Sequence, residues 1–156
     1  MPLALPVLAR LQAETPAVML RAAEGLLCES EALLNAQQWD GAVYLAGYVA
    51  EMLLKVAYCN LEPTFPINGT VDIIFGPAAT LWRSLVPGAS LPFQHKHSIL
   101  FWEEVLDPHR VASGVSAMEW GNALAMSQHL NTIRLHWQVG LRYQAPLVIA
   151  EEAHAV

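Results

Sequence analysis

The chain has 156 residues, 54% of them hydrophobic and only 14% charged, and its eight Lys and Arg against fourteen Asp and Glu leave a net charge of −6. This length and apolar content describe one domain that can bury a core without a disulfide or metal staple, and they exclude a disordered chain. The acidic balance argues against broad, sequence-blind binding to nucleic-acid backbones, and the surplus of apolar surface points to an oligomer.

Residues 1–14 carry Pro2 and Pro6 and read as a lead-in to a single domain over 15–156. Arg10 follows the first apolar run instead of preceding it, the wrong order for a secretory signal. Thr15 followed by Pro16 predicts a helix start, Thr as N-cap and Pro at the first helical position. Met19, Ala22, Ala23, Leu26, Leu27, Leu33 and Leu34 recur at helical spacing and carry that helix to about Ala36. Gln37 to Trp39 form a short connector, and Asp40 is placed to cap a second helix running to about Asn60. This second helix is apolar nearly all round, as a central helix touched on several sides would be. Glu51 and Lys55 near its middle argue against a membrane span. Cys28 and Cys59 sit in apolar helical stretches and read as small buried hydrophobes in a reducing cytoplasm.

From 61 to 95 the chain is rich in Pro and Gly, which predicts a long loop with a short helix over 78–85. Residues 97–106 predict a short third helix stopped by Asp107 and Pro108. Ser116 and Glu119 form a capping box that opens a fourth helix reaching His136. Gly140 leaves 137–143 open between strand and bent helix, and Pro146 starts a last short helix. The expected fold is all-α, an antiparallel up-and-down helical bundle of four to five helices with a long loop between the second and third.

The run from Trp39 to Lys55 is rich in small residues and tyrosines and ends in Glu51, three residues, then Lys55. It resembles the signature helix of HEPN domains. His97 opening a short helix that Leu106 closes, and the ending Trp137, Leu141, Arg142, Tyr143, fit the same family. The resemblance covers about residues 22–143. It implies an all-α bundle that commonly forms homodimers and works around RNA or nucleotides. Some HEPN proteins are ribonucleases of toxin–antitoxin and defence systems; others are non-catalytic partners of minimal nucleotidyltransferases. The family's ribonuclease motif, an Arg with a His five to seven positions on, is missing here. None of Arg10, Arg21, Arg83, Arg110, Arg134 and Arg142 has such a His. The resemblance therefore implies a binding or regulatory module engaging RNA, a nucleotide or a nucleotidyltransferase.

Glu51 and Lys55 stand at i,i+4 in the favourable order. They read either as a structural ion pair or as a polar point where Lys55 meets an anion, with Arg142 beside Tyr143 as further ligand-binding candidates. If the protein is instead a metal-independent endoribonuclease, His97, or Arg134 with His136, would supply acid–base chemistry in a dimer cleft. His95, His97 and His109 lie near Glu103 and Glu104. A His-x-His pair without a HExxH motif is no metal signature, so neither metal nor cofactor is expected. A third reading is a small-molecule pocket beneath 61–95, lined by Phe65, Phe75, Trp82 and Phe93. Gly41 and Gly47, with Ala46 and Ala50, make a flat face for close helix approach, including approach across a dimer two-fold.

Overall fold

The computed structural model describes residues 13–62, 65–66, 69–88, 90–91, 95–116, 120–137 and 148–156. Among the described residues all regular structure is helical: α1 (Pro16–Asn35), α2 (Trp39–Leu61), α3 (Asp72–Leu85), α4 (Ile99–Ala112), α5 (Trp120–His136) and α6 (Ala150–Ala155), with a single 3-10 turn at His95–His97.

The first helix begins as its sequence dictates. The Thr15 side chain accepts from the Val18 amide at 3.4 Å and Pro16 opens the helix, where its missing N–H costs nothing. Ala36, Gln37 and Gln38 connect it to α2. Gln37 adopts φ 61°, and the Gln37 and Gln38 amides bond back to the carbonyls of Leu34 and Leu33 at 3.0 and 2.9 Å. This is a Schellman closure with glutamine in the left-handed position that glycine usually occupies. Ser30 then donates to the Ala42 carbonyl at 2.8 Å, so the end of α1 is tied to the start of α2.

α2 is the axis of the fold and packs against α1, α4, α5 and α6. By length and composition it could cross a membrane, but 61% of its apolar window is buried inside the protein. Its buried face joins Trp102, Phe101 and Val105 of α4 and Ile74 of α3 in one core. Asp40 is not its cap: Gln38 holds that position without a side-chain bond. The Asp40 carboxylate instead accepts from the Val148 amide at 3.2 Å and fastens the approach to α6.

Two proline readings are corrected. α3 starts at Asp72, six residues earlier than expected, and runs through Pro77; α4 runs through Pro108 to Ala112. In both, buried residues lie on each side of the proline: Ile74 before and Ala78, Ala79 and Trp82 after it in α3, and Val105 and Leu106 before and His109 after it in α4. Burial of these side chains outweighs one missing helical hydrogen bond. The loop between α2 and the third sequence-predicted helix is therefore interrupted by a full helix. The reading of Cys28 is also corrected, since Cys28 is exposed and only Cys59 is buried. The Ser116–Glu119 box, the 137–143 ambiguity beyond Trp137, and Pro146 fall outside the described residues.

Candidate functional site: a buried carboxylate shared by Lys55 and His97

The small-residue face of α2 is filled by the chain itself. A Cβ at Gly41 would stand 3.0 Å from Leu33, and one at Gly47 would stand 2.0 Å from the Trp137 ring. Trp137 lies edge-on to Tyr48 at 5.6 Å and donates from Nε1 to the Tyr44 carbonyl at 3.0 Å. These glycines serve packing within one chain, so the flat-face argument for a dimer loses its footing.

One turn further along α2 the chemistry changes. Glu51 and Lys55, only 2% and 4% exposed, form an ion pair through Glu51 Oε1. The same oxygen lies 3.1 Å from His97 Nδ1. Lys55 Nζ also sits 5.4 Å from the Phe75 ring centroid and 5.8 Å from that of Trp102, so aromatic faces replace much of the water it has lost. Glu51 Oε2 is buried with no hydrogen-bond partner among the described residues.

The turn carrying His97 is held from both sides. Trp102 Nε1 donates to the Lys96 carbonyl at 3.1 Å, and Ser98 caps α4 by accepting from the Phe101 amide at 3.2 Å. His97 therefore reaches inward to Glu51 with one ring nitrogen, while its side chain stays 46% exposed. A bond from Nδ1–H to the carboxylate would orient the ring and direct its other nitrogen, Nε2, away from Glu51. Lys96, beside it, places Nζ 4.6 Å from the Phe75 centroid. The arrangement can orient a histidine for proton transfer or present a cationic edge to an anion.

A second titratable group lies at the end of α2. His109 stacks on Tyr58 with centroids 3.9 Å apart and planes 8° from parallel. Burial holds the His109 imidazole below its ordinary pKa, against the opposing pull of Glu62 and the Tyr58 backbone. Its Nε2 is 4.0 Å from Glu62, too far for a hydrogen bond. Burial, then the Glu62 charge, pushes the Tyr58 hydroxyl up to about 12. Burial pushes the Cys59 thiol up to about 11, with its own backbone bond and Lys55 pulling the other way.

Of the sequence-predicted site residues, the structure thus brings Glu51, Lys55 and His97 together. Arg134 and His136 are elsewhere, on α5. Arg134 bonds the Asn131 side chain at 2.7 Å, and His136 faces Glu152 of α6 at 3.8 Å. Arg142 and Tyr143 lie outside the described residues. The aromatic pocket is not assembled as expected: Phe75 covers Lys55, Trp82 is buried and donates to Glu104 at 2.7 Å, Phe65 lines a separate cavity, and Phe93 is outside the described residues. Sequence reasoning gave Trp102 no site role and read Lys96, beside His97, as a solvated loop residue. Among the described residues no group of three or more metal-ligating side chains is found. Compared with family models, with curated proteins and with solved structures, the chain finds no match in any of the three.

Proposed function

We propose that the protein is a HEPN-like binding or regulatory module: an antiparallel up-and-down bundle that works as a homodimer and engages a nucleotide, RNA or a nucleotidyltransferase. The observation that carries this reading is His97, anchored on a buried carboxylate yet half-exposed beside Lys96. Lys55 is buried against Glu51 and two rings, so it supports the site from beneath and does not meet the ligand. Lys96 supplies the positive charge, and His97 a ring nitrogen, for a phosphate at this edge. Fluorescence polarisation with a labelled RNA oligonucleotide and with labelled ATP tests it. Binding that weakens about tenfold in His97→Ala and Lys96→Ala supports the reading; wild-type and variants that bind equally, or not at all, reject it.

The endoribonuclease reading is favoured by one feature, the contact of His97 Nδ1 with the buried Glu51 carboxylate, which orients the imidazole for acid–base work. Cleavage of total RNA in EDTA that disappears in His97→Ala would move the protein to that class, and intact RNA would close it.

A further inference from the structure

A different region of α2 carries a second site. Between α1 and α5 the helix faces an apolar groove of about 540 Å³, within the roughly 300–1,000 Å³ of small-molecule pockets. Its floor is made of small residues of α2, Ala46, Ala50 and Ala57, where larger side chains would fill the space. Its walls come from three other helices, with Leu27 of α1, Leu106 of α4 and Leu130 of α5. Ala46 to Asn60 span about 21 Å along the axis at 1.5 Å per residue, so the groove is long rather than round. At the lip, Leu27 and Leu53 remain exposed, an arrangement that costs solvation unless something covers them.

One end of the groove is polar. Arg110 is the only ionisable side chain among the described lining residues, and it stands with Asn60 near the C-terminal end of α2. The neighbouring His109 on Tyr58 fixes that placement. Arg110 donates through Nη2 to the Ser116 carbonyl at 2.8 Å, and no carboxylate of the described residues pairs with it. Its Nε is buried without a partner among the described residues. A guanidinium that no carboxylate of the described residues neutralises, at the end of a long apolar trough, suits a planar anion bearing a hydrocarbon tail.

We propose that this groove binds an amphipathic carboxylate of the fatty-acid class, its tail along Ala46–Ala57 and its carboxylate on Arg110. The site is separate from the His97 cluster, so it stands or falls independently of the function proposed above. Isothermal titration of the whole chain with octanoate, decanoate and laurate tests it, with dodecanol as the uncharged control and light scattering to follow oligomeric state. Saturable binding of one laurate per chain is expected, tightening by about fourfold per added methylene. Arg110→Met should weaken laurate by about ten- to hundredfold and leave dodecanol unchanged. Ala57→Leu, at a half-buried position on the floor, should abolish both while the circular-dichroism melt is retained. Three results would overturn the proposal: no saturable binding, equal loss of acid and alcohol in Arg110→Met, or an Ala57→Leu change that splits a dimer without affecting laurate. The last would show that a second copy covers the groove.

Discussion

The two halves of α2 are built on different physics. From Gly41 to Gly47 the helix is shaped to be approached: side chains are missing where Leu33 and the Trp137 ring come in. From Glu51 to Cys59 it is held by polar and ring contacts, Glu51 with Lys55 and His97, Lys55 with the Phe75 ring and Tyr58 with His109, and Glu51 Oε2 and His109 Nε2 find no hydrogen-bond partner among the described residues. A wrong atom in the first half collides; a missing atom in the second leaves a charge or a donor stranded. Close packing and buried polar networks therefore fail in opposite directions along a single helix, and the contrast can be broken experimentally.

The sharpest break is Gly47→Ala. The added methyl cannot coexist with the Trp137 ring, so the tryptophan must leave its place, and a loss near the upper end of Trp-to-Ala costs, about 5 kcal/mol, is expected in urea unfolding. Trp137→Ala in the Gly47→Ala background should then add little, a strong non-additivity. A single Gly47→Ala cost below about 1 kcal/mol would mean that the ring does not sit on the glycine. In the second half, Lys55→Met should cost about 3 kcal/mol by stranding the Glu51 charge, whereas Glu51→Leu with Lys55→Met should recover most of that loss. If the double variant is as unstable as the single, the pair is not what holds this region.

The smallest effect sharpens the comparison through pH. His109 binds its proton less readily when folded than when unfolded, so the unfolded chain takes up more protons as the solution is acidified. Stability contributed by neutral His109 is present above about pH 6.5, the unfolded value, and falls as pH is lowered from there towards the folded pKa. The slope is at most about 1.4 kcal/mol per pH unit. His109→Phe keeps a ring on Tyr58 and should flatten that slope between pH 7 and 5; an unchanged slope would assign it to other groups.

Much of the helical content was legible because it is written in local chemistry. Thr15 and Pro16 announce α1, and the apolar circumference of α2 announces a central helix. Pro77 and Pro108 misled because a proline's cost is local while the burial of Trp82, Val105 and His109 that overrides it is not. Asp40 looked like a cap because a cap and a tertiary acceptor use the same side chain. At the site, Glu51 and Lys55 were visible as an i,i+4 pair. Their third member, His97, lies 46 residues away, and no spacing rule reports such a meeting. The glycines announced a close approach but not the visitor, which proved to be an indole from the same chain.

The bond from Trp137 to the Tyr44 carbonyl closes over 93 residues, and the one from Val148 to Asp40 closes over 108. During synthesis, α1 and α2 emerge long before either contact is possible. Until then the notch at Gly47 stays vacant and the first half of the central helix shows its apolar side to the cell. The last quarter of the polypeptide thus completes the beginning, which makes that interval the time of greatest exposure to aggregation.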